Sequence, residues 1–285
     1  MEGKTVVITG GNAGIGKATA IFLAKKGAEI IITSRSEDKA KSALEEIKSA
    51  SGKDKVDFVL VNLVSQESVR KAAEEINSKC PKINVLINNA GCYLSELVLS
   101  PEGYEGQFAT NHLGHFLLTN LLLENIKAAN GARIINLASI AHKFTRALNF
   151  DDLNYEKKGY SGWDSYSRSK FCNILFTKEL ARRLEGSGIT VNAVHPGGVR
   201  TEIGEKNSNW LSKFGWILMK PLMITVEKGA ATSIHLASSA EVDGITGHYW
   251  VRSKQTWSNR PSQDPELAKI LWKKSEEMVG QEFPT

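Results

Sequence analysis

The stretch TGGNAGIG at residues 9–16 decides the fold of this chain. It follows a short apolar run, Thr5–Ile8, and leads into Ile15–Lys26, whose apolar residues recur at helical spacing. Glycines let the backbone turn tightly and approach a pyrophosphate, and the N-terminus of the following helix attracts an anion. A purely structural turn is the alternative, but the strand–turn–helix context favours a dinucleotide-binding turn. The turn residues expected to bind such a cofactor are Gly10, Asn12, Gly14, Ile15 and Gly16.

Beyond this turn, short apolar runs alternate with amphipathic segments. We predict strands at Thr5–Ile8, Glu29–Thr33, Val56–Val61, Ile83–Ile87, Arg133–Leu137, Ile189–Val194 and Gly247–Val251. We predict helices at Ile15–Lys26, Glu37–Ser49, Gln66–Asn77, Glu102–Lys127 and Trp163–Leu184, and over about 226–238 and 264–279. Such alternation predicts an α/β fold, a Rossmann-type doubly wound parallel sheet in three α/β/α layers.

The chain has no linker rich in proline, glycine or serine that would divide it. We therefore predict a single domain over residues 1–285. Residues 1–195 would form the cofactor-binding and catalytic core. Residues 196–285 would supply a substrate-covering segment, the last strand and the C-terminal helix.

Composition narrows the class of protein. With 41% hydrophobic and 24% charged residues among 285, the chain is typical of a globular protein with an ample core. Its net charge of +5 is not gathered in one basic block or aromatic-basic stripe, so no nucleic-acid partner is expected. Cys80, Cys92 and Cys172 form no CxxC pair, which argues against disulfides and zinc and favours a reducing compartment.

The hydropathy pattern predicts no transmembrane segment. The first strand begins so early that we expect no signal peptide or N-terminal anchor. The apolar stretch Trp216–Val226 is interrupted by Lys220 and Pro221 and is shorter than the ~20 residues of a spanning helix. We expect a cytoplasmic protein; peripheral association with a membrane surface stays open.

The glycine spacing at residues 10–16 resembles the TGxxxGxG motif of the short-chain dehydrogenase/reductase family rather than GxGxxG. Further motifs follow in the family's order: Asn88-Asn89-Ala90-Gly91, Asn111, Ser139, Tyr166 with Lys170, and Pro196-Gly197 with Thr201. Each motif is weak alone, but six in register are specific. The resemblance implies an oxidoreductase, and it implies cofactor contacts from Leu63, Asn89, Ala90, Gly91, Tyr166, Lys170, Pro196, Gly197, Val199 and Thr201.

The end of the second strand predicts NADP(H) as the cofactor. Enzymes that prefer NAD usually carry an acidic side chain there for the ribose hydroxyls, but this chain has Ser34 and Arg35. Arg35 can pair with a 2′-phosphate and Ser34 can add a donor, although a lone arginine is more often a solvated residue. At Asn62 the family commonly has aspartate. The amide oxygen still offers an acceptor to adenine.

Tyr166 and Lys170 are four residues apart on a predicted helix, so they share one face. A neighbouring ammonium is expected to lower the pKa of a tyrosine from its ordinary ~10. A YxxxK pattern often arises by chance, and here only the other motifs favour catalysis. The family resemblance implies that Tyr166 is the general acid/base, that Lys170 holds the nicotinamide ribose, that Ser139 binds the substrate oxygen, and that Asn111 supports a water-based proton relay.

The long spacing from Ser139 to Tyr166, with a predicted loop over His142–Trp163, resembles the retinol dehydrogenase subfamily, as does Gly247-His248-Tyr249-Trp250. Members of that subfamily often carry an N-terminal membrane anchor, which we do not expect here. The segment Trp210–Met223 is rich in large apolar residues. As a substrate cover it predicts a lipophilic carbonyl or alcohol, such as a retinaldehyde-like compound, an aliphatic aldehyde or a ketone; a core segment or an oligomer contact is the alternative.

Other functions remain open at this point. One is reduction of a carbon–carbon double bond in a protochlorophyllide-like substrate, and another is a non-catalytic NADP-binding sensor or scaffold. Relatives often form homodimers or homotetramers through the two long helices, and the resemblance implies the same assemblies for this chain. His112 and His115 have metal-like spacing without an acidic third ligand, so we predict packed or hydrogen-bonded histidines and no metal site.

Overall fold

The structure, a computed structural model, describes residues 1–157, 159–198 and 224–284. The strands within these ranges are β1 (Thr5–Ile8), β2 (Glu29–Ser34), β3 (Val56–Leu60), β4 (Val85–Asn88), β5 (Arg133–Leu137), β6 (Thr190–His195), β7 (Tyr249–Val251) and β8 (Lys254–Thr256). They form one sheet in the order β3-β2-β1-β4-β5-β6-β7-β8. All neighbouring pairs are parallel except β7 and β8.

In the described ranges, all helices but the last lie in the connections between the parallel strands, and the last helix follows the final strand. They are α1 (Gly14–Lys25), α2 (Glu37–Ser51), α3 (Gln66–Lys79), α4 (Gly106–Phe108), α5 (Gly114–Leu121), α6 (Leu123–Lys127), α7 (Gly162–Arg183), α8 (Val226–Ser238) and α9 (Pro265–Val279). A π-helical stretch, Ala109–Leu113, joins α4 to α5. Short 3₁₀ turns lie at Ile140–Phe144, Phe150–Asp152, Ala240–Val242 and Arg260–Gln263.

Side chains alternate between the two faces of the sheet, as the two-residue period of a strand requires. On β1, Val7 packs into the core cluster that contains residues of α3, α5, α7 and α9. Val6 and Ile8 pack into the opposite cluster, with residues of α1, α2 and α8. The predicted three-layer Rossmann-type fold is confirmed.

The sheet reverses its winding between β1 and β4. Successive crossovers leave in opposite directions at such a point, which opens a crevice outside the carboxyl ends of the strands. Thr9 follows β1, Asn89 follows β4, Ser139 comes shortly after β5 and Pro196 follows β6. The topology therefore gathers the sequence motifs at one edge of the sheet.

The last strand differs from the prediction. It spans only Tyr249–Val251, and the sequence analysis missed β8, whose residues are polar and exposed. Arg252 and Ser253 form the connecting turn with φ values of 51° and 57°. Two consecutive left-handed residues suit a tight hairpin, but glycine or asparagine usually signals it.

The predicted helix over Glu102–Lys127 is also corrected. It begins only at Gly106, because the Glu105 carboxylate caps it by accepting from the N–H groups of Gln107 (3.0 Å) and Phe108 (2.7 Å). It then widens into the π-helical stretch and is interrupted at Leu122. A π-helical turn contains one more residue than an α-helical turn, and the apolar periodicity of a long segment does not reveal this single insertion.

Candidate active site

Glycine is required at two points of the turn after β1 by conformation and at a third by space. Gly10 and Gly14 have φ values of 65° and 50°, in the left-handed region that favours glycine. A Cβ atom at Gly16 would lie 2.5 Å from the Gly10 carbonyl oxygen and 2.6 Å from Asn89 Nδ2. Asn12 is half-buried within the same turn. The turn therefore presents backbone rather than side chains to the crevice.

The N-terminus of α1 has no side-chain cap at Ala13. Six other helices of the described ranges are capped by the side chain of the preceding residue, namely Ser36, Ser65, Glu105, Ser161, Thr225 and Asp264. The first N–H groups of α1 thus have no side-chain acceptor, and the positive end of the helix dipole is available to an anion. Ile15 packs against Ala230 of α8, which supports the helix from behind. These features fit the pyrophosphate of a dinucleotide.

The loop after β4 is hydrogen-bonded to the glycine turn. Asn89 Nδ2 donates to the Thr9 carbonyl oxygen at 2.8 Å. The Thr9 hydroxyl accepts from the backbone N–H groups of Asn89 and Ala90, at 2.8 and 2.9 Å. A Cβ atom at Gly91 would lie 3.2 Å from Asn111 Oδ1, so this glycine lets the loop lie close to Asn111.

The end of β2 carries no acidic side chain at residues 33–35. Arg35 is exposed, whereas Ser34 is buried and its hydroxyl donates to the Ser36 carbonyl oxygen at 3.0 Å. Asn62, at the end of the neighbouring β3, is exposed, and the adjoining Leu63 is buried. Arg35 and Asn62 are therefore accessible, while the Ser34 hydroxyl is already occupied.

Ser139, Tyr166 and Lys170 meet beyond the carboxyl end of β5. Lys170 is buried, and its ammonium donates to the Leu137 carbonyl oxygen at 3.1 Å. Its Nζ lies 5.7 Å from the centre of the Tyr166 ring. The hydroxyl of Ser139 hydrogen-bonds to the phenol of Tyr166, an interaction that favours the phenolate.

Burial dominates the electrostatics of this group. It raises the pKa of Tyr166 above the ordinary tyrosine value, with the hydrogen bond from Ser139 acting in the opposite direction. It lowers the pKa of Lys170 to about 8. The expectation that a neighbouring ammonium lowers the pKa of Tyr166 is therefore wrong, because the loss of hydration on burial dominates the shift. Tyr166 is a neutral phenol near neutral pH and can donate a proton.

Asn111 lies in the π-helical stretch and is buried. Its Oδ1 accepts from the Cys92 N–H at 2.8 Å, and its Nδ2 donates to the Cys92 carbonyl oxygen and to Ser169 Oγ, both at 3.0 Å. Ser169 in turn donates to the Tyr166 carbonyl oxygen at 2.8 Å. The Asn111 side chain thus joins the loop after β4 to the helix that carries Tyr166.

Aromatic side chains near Tyr166 escaped the sequence analysis. The ring of Tyr93 packs edge-on to that of Tyr166, with centroids 6.0 Å apart. The centroids of the Trp163 and Tyr166 rings are 6.1 Å apart. Phe144 contacts Trp163 at 5.6 Å. Trp163 and Phe144 are 49% and 66% exposed. The spacing of Trp163, three residues before Tyr166 on one helix face, was the available signal.

Pro196 and Gly197 lie directly after β6. Gly197 has a φ of 94°, and a Cβ atom there would lie 2.7 Å from Ile224 Cδ1. The Ile224 N–H donates to the Gly198 carbonyl oxygen at 2.9 Å. The other cofactor residues expected here, Val199 and Thr201, and the apolar segment Trp210–Met223 lie outside the described residues.

His112 and His115 are hydrogen-bonded side chains. His112 Nε2 lies 2.9 Å from Ser275 Oγ, and His115 contacts Thr9 and Asn111. The prediction of hydrogen-bonded histidines is confirmed. In the part of the chain that the structure describes, no cluster of three or more His, Cys, Asp or Glu side chains could hold a metal ion. No helix in those same ranges is long and apolar enough to span a membrane.

Comparisons with known proteins agree with this arrangement. The profile of the short chain dehydrogenase family matches residues 4–150 and 154–212. Human Retinol dehydrogenase 13 is 41% identical over 293 residues, covering 100% of this chain and 87% of that protein. Human Retinol dehydrogenase 14 is 42% identical over 301 residues, covering 98% and 87%.

Solved structures share the fold. An uncharacterized protein from Mycobacterium paratuberculosis superposes with a TM-score of 0.81 at 33% identity, covering 100% of this chain and 96% of that one. A blue fluorescent protein from a metagenomic library, in complex with NADPH, superposes with a TM-score of 0.68 at 26% identity, covering 88% and 96%.

Proposed function

Since this chain belongs to the short-chain dehydrogenase family and is similar to retinol dehydrogenases over its full length, we propose that it transfers a hydride between NADP(H) and a lipophilic carbonyl or alcohol. The family's members are oxidoreductases that use an NAD(P) cofactor. The observation that carries the proposal is the meeting of Ser139, Tyr166 and Lys170 beside a turn shaped for pyrophosphate.

The preference for NADP(H) rests on charge at the end of β2. A 2′-phosphate would meet the exposed Arg35 guanidinium and no carboxylate at residues 33–35. An arginine binds a phosphate through charge-assisted and often bidentate hydrogen bonds. Ser34 contributes less than the sequence suggested, because its hydroxyl donates to Ser36. Asn62, on the adjacent strand end, would accept from the adenine amine.

In the proposed mechanism the bound nicotinamide supplies the hydride. Tyr166, a neutral phenol at neutral pH, donates its proton to the substrate oxygen, which Ser139 holds by a hydrogen bond. Lys170 lies buried beside the Tyr166 ring, where its ammonium would contact the nicotinamide ribose. Asn111 fixes the backbone on both sides of this group and supports the proton relay from a buried position.

The substrate class rests on the aromatic residues near Tyr166. Tyr93, Phe144 and Trp163 provide large apolar surfaces, and two of them are exposed. Burial of an apolar substrate against such rings is favourable, and its free energy depends mainly on the apolar area that is buried. A retinaldehyde-like compound, an aliphatic aldehyde or a lipophilic ketone would fit. The names of the relatives, retinol dehydrogenases, favour the first of these.

The proposal extends to the localisation and the oligomeric state of the enzyme. We infer a cytoplasmic enzyme that takes its substrate from solution or from a membrane surface. An assembly through the two long helices would have to accommodate α9, because Trp272 of that helix packs against Phe116 of α5 and Phe176 of α7. Because α9 already covers these parts of α5 and α7, a homodimer or homotetramer would have to form through other surfaces of the two helices.

The function is tested by mixing the protein with NADPH and a panel of aldehydes and ketones that includes all-trans-retinaldehyde, and following the nicotinamide absorbance. We expect turnover with NADPH, weaker turnover with NADH, and none with Tyr166→Phe. Tight NADPH binding without turnover of any carbonyl would favour the sensor or scaffold. Turnover only of conjugated double bonds would favour the alternative reductase.

A further inference from the structure

His115 of α5 is buried between the glycine turn and Asn111. Its Nε2 lies 2.9 Å from Thr9 Oγ1, and its Nδ1 lies 3.1 Å from the Asn111 carbonyl oxygen. A carbonyl only accepts, so Nδ1 carries the proton. Burial lowers the pKa of His115 to about 4, so the ring is neutral and its Nε2 is an acceptor.

The Thr9 hydroxyl needs such an acceptor. A hydroxyl has two lone pairs and one proton. The N–H groups of Asn89 and Ala90 occupy the lone pairs, at 2.8 and 2.9 Å. The proton is left for His115 Nε2, since the Ile87 carbonyl oxygen is farther away at 3.4 Å. A neutral His115 ring with its proton on Nδ1 is the form that satisfies the Asn111 carbonyl, the Thr9 hydroxyl and the two N–H groups that donate to that hydroxyl.

We propose that His115 is a positioning residue that holds the phosphate-binding turn and the loop 89–91 in register with Asn111. It is buried, and it acts through Thr9 on the turn and through the Asn111 carbonyl on the catalytic group. The inference rests on the proposed function in taking NADP(H) as the ligand whose binding reports the register.

His112 is a matched control, three residues earlier in the same helical region. It is equally buried, and burial lowers its pKa to about 3. Its Nε2 donates to Ser275 of α9, because the Ser275 hydroxyl proton goes to the Leu271 carbonyl oxygen at 2.8 Å. His112 therefore faces the C-terminal helix and has no hydrogen bond to the turn.

The first test compares His115→Gln and His115→Phe with His112→Gln and His112→Phe. Thermal unfolding reports stability, and titration with NADPH and NADH reports affinity. We expect all four variants to lose stability, but only His115→Phe to bind both dinucleotides about ten-fold more weakly, because Thr9 then loses its acceptor. Gln, whose amide oxygen can still accept from Thr9, should restore affinity better than Phe. Equal affinities for His115→Phe and His112→Phe would overturn the inference.

A double-mutant cycle isolates the contact. Thr9→Val and His115→Phe remove opposite ends of one hydrogen bond, so the effects of the two on dinucleotide affinity should be strongly non-additive. Fully additive effects would contradict a shared role. His115→Leu, which also lacks an acceptor, replaces His115→Phe in the cycle if the Phe variant does not fold.

A readout without cofactor separates this inference from the proposed function. Amide hydrogen exchange over residues 85–92 should be faster in His115→Phe than in wild type or His112→Phe, because the Ala90 N–H donates to the Thr9 hydroxyl, which loses its acceptor in that variant. If the wild type binds neither dinucleotide, the proposed function fails, and this exchange pattern still decides the role of His115. Unchanged exchange at residues 85–92 would overturn it.

Discussion

The cofactor side and the substrate side of the crevice are built differently. On the cofactor side, Thr9, Asn89 and Ala90 are held by hydrogen bonds between 2.8 and 2.9 Å, and glycines occupy positions that admit no side chain. On the substrate side, Tyr93 and Trp163 meet Tyr166 through ring contacts near 6 Å. Hydrogen bonds that fix the backbone of the turn give it one shape and therefore fit one kind of ligand, whereas apolar ring surfaces can contact many different ligands. We therefore expect strict cofactor binding and broad selectivity among lipophilic carbonyls.

The largest expected effect is at the junction of the two sides. Tyr166→Phe removes the proton donor but keeps the ring, so kcat should fall by about 10³-fold or more while NADPH affinity changes less than about two-fold. Steady-state kinetics and cofactor titration measure the two quantities separately. A variant that retains more than about a tenth of wild-type kcat would remove Tyr166 from the role proposed for it.

Next in size is a change to the turn on the cofactor side. Gly16→Ala places a methyl group 2.5 Å from the Gly10 carbonyl oxygen, so dinucleotide affinity should fall by about 10- to 100-fold. Gly159→Ala is the matched control, since its added Cβ meets nothing within 4 Å. Equal affinities of the two variants would mean that the turn does not hold the cofactor.

The NADP(H) preference is tested at Arg35. Arg35→Ala should weaken NADPH binding by about ten-fold and leave NADH binding unchanged, because only NADPH has the 2′-phosphate. Lys53→Ala removes another exposed cation and controls for net charge. Equal losses for NADPH and NADH would show that Arg35 acts elsewhere than on the phosphate.

A smaller effect is expected on the substrate side. Trp163→Ala should raise KM about five- to ten-fold for a long lipophilic aldehyde, through lost apolar contact, with little change for a short one. Trp257→Ala, at an 82% exposed position, controls for loss of a surface tryptophan. If KM rises equally for both aldehydes, Trp163 supports the fold of the site rather than the substrate.

The smallest effect is spectroscopic. Because burial raises the pKa of Tyr166 above the ordinary tyrosine value, its phenol should stay protonated over the pH range in which a free tyrosine begins to ionise. The phenolate absorbance of wild type minus that of Tyr166→Phe should then stay near zero across this range. A difference signal that develops below about pH 9 would contradict the dominance of burial.

The sequence predicted what depends on short-range pattern. The strand β2, the start of α7 and the end of α1, predicted at Lys26 and observed at Lys25, follow from apolar periodicity and agree with the structure within two residues. The polar strand β8 and the π-helical stretch escaped it. Pairing with β7 specifies β8, and the cap at Glu105 sets the helix start, so neither depends on periodicity.

The candidate site divides in the same way. Glycines, Asn89, Ser139, Tyr166 and Lys170 belong to local motifs that the sequence displays. Separate segments of the chain bring Tyr93 to Tyr166 and Phe144 to Trp163, and no local pattern marks these two residues. Burial also reversed the expected direction of the pKa of Tyr166, because spacing gives the distance to a charge but not the loss of water around the phenol.

The measurement that tests the central claim most directly is isotope transfer. NADPH carrying deuterium at the transferable nicotinamide position is incubated with the protein and all-trans-retinaldehyde or a long aliphatic aldehyde, and the product is analysed by mass spectrometry. We expect an alcohol with a single deuterium on the former carbonyl carbon, and no such alcohol with Tyr166→Phe. Deuterium on an alkene carbon, or an unlabelled alcohol, would contradict it.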